Sequence, residues 1–509
     1  MPALRSRLWL VLPVALALAG AGGGTVLLRS ADAGVDPAEA GALAAALAGD
    51  AEPGAPAVLG EPHHPATSAF YADGARLWDD AARRDAALAL LGHADRWGVA
   101  DGSAARLRAV RLDEASPQRR AAFDLALTSR LLRFGDALAG PNVDGHALHG
   151  ILWAPHRRDD DPSAALFDAL DALDDGTAPQ DALTGYAQAL SPRHPEARRV
   201  QRALAREIAL AQGPDLTLPA DLGPGDAGPP VERLRERLRL EHLAVGDGDR
   251  FDAALGQAVR EAQARYGVPP TGRLDAATRQ ALDARHPERI GALTLNLERW
   301  RWLPNDLGDL HVFVNIPDFE IVLRENGRSV FESVAAVGKA GWNTNVFSDS
   351  IETVVFNPTW TMPASIQRES YGRVKGYVVQ APGPRNPMGR VKFVYPNGHA
   401  IFIHDTTAKW GFEQPDRALS HGCVRVARPQ DLATELLTRR AGGWDAARVA
   451  EIFRGPWGPT QNVTLDAPVP IHHVYLTLRA DADGRIRLVD DVYGYDERLA
   501  AELDARAAI

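Results

Sequence analysis

The stretch "ALSHGCVRV", residues 418–426, holds the only cysteine in a chain of 509 residues. A thiol becomes a useful nucleophile when a nearby base or cation favours the thiolate, since the model-peptide pKa is about 8.5. Two histidines are candidates. His421 stands two residues before the thiol, and His404 lies upstream at the end of the strand-like "AIFIHDT" (400–406). Residues two apart rarely share an in-line proton, whereas a histidine on a neighbouring strand can meet the sulfur face-on. His404 is therefore the expected base and His421 a residue that orders the loop. Gly422 lets the backbone come close to a substrate carbonyl, and N–H groups at this turn can form an oxyanion hole. Arg425 can steady a thiolate or hold a substrate carboxylate. The run "VARPQDLATELLTRR" (426–440) reads as a helix whose N-terminus would favour negative charge if aimed at the site. This set points to acyl transfer through a thioester.

Two other readings of the thiol are weaker. A lone buried cysteine is usually an inert small hydrophobe, but such a residue does not need the flanking His-Gly. Cys423, His421 and His404 could ligate zinc, yet there is no second cysteine and no His-x-x-x-His pair, so neither metal nor organic cofactor is expected.

Around this stretch the sequence has the texture of strands. "HVFVNIPDFEIVLRENGRSVFESVAAVGK" (311–339) alternates apolar and polar positions about an Asn326-Gly327 pair, which signals a two-residue hairpin. "IETVVFNPTWTMP" (351–363), "RVKFVYPNGHAIFIHDT" (390–406) and "HHVYLTLRADADGRIRLVDDVYG" (472–494) continue the pattern. A mainly β domain is expected over residues 305–495.

"HDTTAKWGFEQPDRALSHGCVRV" (404–426) resembles the signature of the L,D-transpeptidase catalytic domain of YkuD type, with His404, Ser420, His421, Gly422, Cys423 and Arg425 at its matching positions. "NLERWRWLP" (296–304), "VFNPTWTMPASI" (355–366), "APGPRNPMGRVKF" (381–393) and "DDVYGYD" (490–496) look like the large membrane-associated YcbB-type branch. That branch joins a helical scaffold, a peptidoglycan-binding module and the catalytic domain. The resemblance implies Cys423 as nucleophile, His404 as base, the backbone carbonyl of Asp405 as its third partner, and the N–H groups of Gly422 and Cys423 as the oxyanion hole. It places Ser420, Arg425, Asp405 and Trp360 near the substrate. The implied reaction joins diaminopimelate residues of two peptidoglycan tetrapeptide stems, donor and acceptor, and a carbapenem would acylate Cys423. The same residues serve an L,D-carboxypeptidase, and a noncatalytic wall-binding scaffold would retain the fold alone. "ASIQRESYGRVKGYVVQ" (364–380) stands where this branch often inserts a sizeable capping subdomain, so a reduced lid is expected.

Upstream, "FDAALGQAVREAQARYGVPPTGRLDAATRQAL" (251–282) looks like a peptidoglycan-binding module, matched at Ala258, Val259, Gln263, Gly267, Gly272, Thr278 and Leu282. It departs at Ala262, where Phe is usual, and at Thr271, where Asp is usual. With Val231, Leu234 and Leu238 on one face before it, and Asp252 and Asp275 as N-caps, the expectation is three short helices over 231–286. Residues 67–212 read as an α-helical scaffold domain, with apolar recurrence at Leu77, Ala81, Leu88 and Leu91. Pro/Gly-rich segments at 30–66 and 213–230 read as linkers. The fold class is thus multidomain α+β.

A net charge of −10 with no long basic block leaves out the footprint of a nucleic-acid binder. Arg5 and Arg7 precede an uncharged, mostly apolar run, Leu8 to Leu28. Residues 1–29 are either a signal peptide, for which Ala17 and Ala19 offer a cleavage site, or a membrane anchor. The positive flank puts the rest of the chain on the periplasmic side. Nothing in the sequence sets an oligomeric state.

Overall fold

The computed structural model describes residues 37–48, 62–72, 75–113, 115–149, 160–213, 218, 221–241, 243–282, 287–482 and 485–507. The expected signal or anchor at 1–29, most of the linker 30–66 and part of the linker 213–230 lie outside them. Among the described residues no helix is long and apolar enough to cross a membrane.

The N-terminal half is helical. Helices Ala81–Gly92, Pro117–Ala139, Pro162–Asp174 and Pro179–Leu190 share one core that includes Leu91, Leu127, Leu131, Leu166 and Leu183. Ser116 caps the longest of them by accepting from Arg119 N–H, with Pro117 at the first helical position. Leu77, Leu88 and Leu91 are buried as the recurrence predicts, while Ala81, next to the Asp80 cap, is exposed. The helix Pro195–Gln212 departs from the expected grouping. Its Val200, Ala203, Leu204 and Ile208 pack on Leu293 and Leu297 of helix Pro287–Arg301 and on Leu478, tying it to the C-terminal half.

Between these parts lie helices Pro229–Arg239, Ala253–Arg265 and Ala276–Leu282. Asp252 accepts from Leu255 N–H and Asp275 from Thr278 N–H, so both act as caps. Gln263 is buried and bonds Gly272 N–H, Thr271 Oγ1 and Thr278 Oγ1, each at 2.8 Å. The departure Thr271 is therefore absorbed into an internal network. Leu222 pairs with Leu274 across a β-bridge, so the end of the expected linker is built into this module.

The C-terminal half is one nine-stranded sheet with few helices and two small strand pairs, one of them Leu478–Ala480 with Ile486–Leu488. Its strands are β1 (Leu310–Asn315), β2 (Glu320–Glu325), β3 (Arg328–Gly338), β4 (Phe347–Phe356), β5 (Trp360–Thr361), β6 (Val379–Gln380), β7 (Val391–Val394), β8 (Ile403–His404), β9 (Ala418–Ser420), β10 (Val424–Val426) and β11 (Gln461–Val474). The order is β10-β8-β7-β4-β11-β1-β2-β3-β9, with β5 and β6 forming a separate pair. β10 also pairs with β3, so the run of pairings closes on itself and short β8 and β10 are held on both sides. Asn326 and Gly327, at φ 50° and 77°, make the two-residue turn between β2 and β3, where Glu325 faces Arg328.

Strand alternation sorts the residues that matter. Val391, Phe393, Ile403, Val424 and Val426 enter the main core, which helix Pro429–Arg440 covers with Leu432, Leu436 and Leu437. The interleaved Lys392, His404 and Arg425 consequently lie on the opposite face.

Candidate active site

Cys423 lies in the turn His421-Gly422-Cys423 between β9 and β10. Gly422 has φ 108°, and a Cβ there would meet nothing nearer than 3.8 Å, so the dihedral and not crowding demands glycine. Ser420 Oγ donates to Cys423 O at 2.5 Å and accepts from Gly422 N–H at 3.1 Å. Thr344 Oγ1 donates to Gly422 O at 2.8 Å, and Lys339 N–H donates to Ser420 O at 2.9 Å. The loop is thus braced from within and from the end of β3. Gly422→Ala is expected to cost about 1–3 kcal/mol of backbone strain at this turn. A denaturation midpoint shift together with slower alkylation of Cys423 would show it, whereas an unchanged midpoint would mean that the turn relaxes freely.

The bracing revises three expectations. Gly422 N–H is spent on Ser420 Oγ, so it does not point into an oxyanion hole. Ser420 is buried and its hydroxyl serves the loop rather than a substrate. Helix Pro429–Arg440 covers the core face, so its N-terminus is not aimed at the thiol.

His404 is buried at the end of β8, beside Arg425 of β10 and Lys392 of β7. Its Nδ1 bonds the carbonyl oxygen of Asp405. A carbonyl only accepts, so Nδ1 carries the proton and Nε2 keeps its lone pair. Burial pulls the imidazole down to about 4, against the Asp405 carbonyl bond and with help from Arg425 and Lys392. The Asp405 carboxylate does not face a substrate. It is buried and accepts from Arg390 N–H at 2.7 Å, Thr406 N–H at 2.6 Å and Lys409 Nζ at 2.5 Å, which corrects its expected substrate role.

Cys423 is half-buried, and its Sγ donates to the carbonyl oxygen of Ala400 at 3.7 Å. Burial raises the thiol above its ordinary value, while the Phe402 N–H, Arg425 and Lys392 pull it down. The resting pair is therefore a neutral thiol and a neutral imidazole on neighbouring elements.

His421 turns toward the cap. Its Nε2 lies 2.6 Å from Glu369 Oε2, and the Trp342 ring meets it edge-on at 4.8 Å. Glu369 belongs to helix Ala364–Tyr371 and also holds Lys339 Nζ at 3.1 Å. The segment 364–380 thus forms a short cap, one helix followed by β6, fastened to the thiol loop. Nothing in the sequence singled out Glu369, whose partners are distant along the chain. Trp360 sits half-buried on β5 at the base of the cap, paired with Gln380. Among the described residues no group of His, Cys, Asp and Glu could hold a metal ion.

Residues 309–449 match the model of the L,D-transpeptidase catalytic domain, YkuD. Residues 65–204 match a scaffold domain, and 227–282 a "Putative peptidoglycan binding domain". A "Putative L,D-transpeptidase" of Haemophilus influenzae is 28% identical over 245 residues, covering 41% of this chain and 48% of that protein. The chain thus spans about half the length of this curated relative. Among solved structures, an L,D-transpeptidase from Mycobacterium smegmatis is similar at 12% identity over 32% of this chain and 58% of that one, with a TM-score of 0.20. L,D-transpeptidase 3 from Mycobacterium tuberculosis, in complex with a faropenem-derived adduct, gives 11%, 33%, 60% and 0.19. The thiol loop, the buried histidine and most of the closed sheet that joins them lie in the segment that matches the YkuD L,D-transpeptidase catalytic-domain model, preceded in the same chain by segments that match a scaffold-domain model and a peptidoglycan-binding-domain model.

Proposed function

We propose that the chain is a peptidoglycan L,D-transpeptidase. The observation that carries this reading is the braced turn that sets Cys423 just before β10, whose Arg425 is the cross-strand partner of His404, a buried histidine whose Nε2 lone pair is freed by the Asp405 carbonyl. Cys423 Sγ gives its proton to Nε2 and attacks the carbonyl carbon of the diaminopimelate residue in a tetrapeptide stem. The S–C bond forms, the C–N bond to the terminal D-Ala breaks, and the imidazolium returns its proton to the departing amine. The amine of a second stem then attacks the thioester, Nε2 takes its proton, and the thiol is restored. Cys423 N–H faces the developing oxyanion, and Arg425 offers its guanidinium to the substrate carboxylate. Trp360, at the base of the short cap, lines the approach.

A substrate of this kind places the protein outside the cytoplasm, where the apolar run Leu8–Leu28 would tether it to the inner membrane. The domain matched at 227–282 supports retention on the wall. The test is incubation of the soluble portion with a tetrapeptide-stem muropeptide and separation of the products. A cross-linked dimer is expected. A tripeptide alone would replace transfer by hydrolysis, and the absence of any product or protein adduct would leave only a wall-binding scaffold.

A further inference from the structure

Two cations flank His404. The register of β7, β8 and β10 sets Lys392 opposite His404 and His404 opposite Arg425. Cross-strand partners at one register share a face, and in the antiparallel β7–β8 pair their Cβ atoms lie about 4.5–5.5 Å apart. Both cations are half-buried. Among the described residues neither side chain has a carboxylate partner, and Arg425 Nε is buried with no hydrogen-bond partner. Lys392 Nζ lies 4.7 Å from the centroid of the Phe402 ring, and Phe402 supplies the N–H that faces the Cys423 sulfur. Half-buried cations without an anion are unfavourable unless one is supplied from elsewhere. The anion formed beside them is the sulfur.

We propose that Lys392 is a positioning residue for Cys423 and His404: with Arg425 it supplies the positive field that stabilises the thiolate and makes the protonated imidazole a ready proton donor. The first effect lowers the cost of releasing the proton from Sγ and offsets the penalty that the same cations place on a protonated Nε2. The second speeds its transfer from Nε2 to the leaving amine, because an imidazolium between two cations is a stronger acid. The other titratable groups around the sulfur are Tyr395 after β7, His399 beside Ala400 with Asp349 of β4 facing both, Asp405 beyond His404, and the Glu369–His421 pair of the cap with Lys339. None of them is a free carboxylate on the row.

This inference rests on Cys423 being the nucleophile, and its test needs no peptidoglycan activity. In the full chain, iodoacetamide alkylation of the single cysteine is followed by whole-protein mass from about pH 6 to pH 11, for wild type, Lys392→Met and Lys392→Arg, with Cys423→Ala as the blank. Lys392→Met is expected to move the alkylation midpoint up by about one pH unit, or about tenfold slower reaction below it, and Lys392→Arg to restore the wild-type midpoint. The acid limb of carbapenem acylation should move up in the same variant, since His404 then protonates more easily. A structural role would change melting temperature without moving both limbs in one direction. An unchanged midpoint in Lys392→Met overturns the proposal; should that variant fail to fold, Lys392→Gln carries the same readout. If the wild type is alkylated but neither muropeptide nor carbapenem acylates it, the transpeptidase reading falls and the Lys392 result stands.

Discussion

Cys423→Ala should remain at its unmodified mass after exposure to a carbapenem, because the chain has no second thiol to hold the acyl group. His404→Ala should form the same adduct as wild type about 10²–10⁴-fold more slowly, the usual contribution of a positioned general base. The pH profile gives a sharper check. The base works while proton-free, and burial holds His404 at about 4, so the rate should rise as pH increases through that value and then stay level where a free imidazole, near 6.5, would still be titrating. An acid limb near 6.5 would mean that another group, or a solvent-exposed His404, takes the proton. The same shift has a consequence for stability. A histidine depressed in the folded state binds fewer protons than in the unfolded chain between about 6.5 and 4, so folding weakens as pH falls through that window. His194 and His473, both held at about 3 by burial, act in the same direction and extend the loss to lower pH. Loss of the folded state at low pH would add to the titration of the base, and melting temperatures measured beside the rates separate the two.

Cys423 and His404 stand out in the sequence because a unique thiol between His-Gly and Val-Arg has few structural uses, and because "AIFIHDT" alternates as a strand should. Asn326-Gly327 and the caps Asp252 and Asp275 were legible for a similar reason: each is a local device whose effect depends on a few neighbours in sequence. What the sequence concealed is where hydrogen bonds are spent. Ser420 and Asp405 sit within the motif, yet only the folded loop shows the Ser420 hydroxyl consumed by Cys423 O and Gly422 N–H, and the Asp405 carboxylate by Arg390, Thr406 and Lys409. Helix Pro429–Arg440 looked able to aim its N-terminus at the thiol. The parity of Val424 and Val426 sends it to the other face, and that parity matters only once β10 is known to pair with both β8 and β3. Glu369 and Lys392 carried no signal, since each acquires its neighbours through tertiary pairing.

Glu298→Ala should be among the most destabilising single changes in the protein, by about 3–5 kcal/mol, and should act far from the thiol. Glu298 lies in "NLERWRWLP", a stretch conspicuous in sequence but without assigned work. Its carboxylate is fully buried on helix Pro287–Arg301. Oε1 accepts from Asn142 N–H at 2.6 Å, Val143 N–H at 3.1 Å and Trp302 Nε1 at 3.2 Å, while Oε2 accepts from Asn142 Nδ2 at 2.9 Å and Arg301 at 3.1 Å. Arg301, itself fully buried, continues the chain to the carbonyl oxygens of Trp97 and Gly98. One carboxylate thus satisfies two backbone donors of the scaffold and the cation that holds a second scaffold turn. Removing it leaves Arg301 buried without a counter-charge and Asn142 and Val143 without their acceptor, costs that add because none of these groups can reach water. Glu298→Gln retains an acceptor but not the charge, so it should lie between wild type and alanine. The double variant Glu298→Leu, Arg301→Met removes both charges together and should be less destabilised than the sum of the two single changes, the signature of a coupled pair. Chemical denaturation gives these values, and single variants that each lose less than about 1 kcal/mol would dismiss the clasp. Because Glu298 lies on helix Pro287–Arg301, while His404 ends β8 and Cys423 lies in the turn before β10, the alkylation profile of the folded fraction should be unchanged, which separates the task of holding the domains together from the task of activating the thiol.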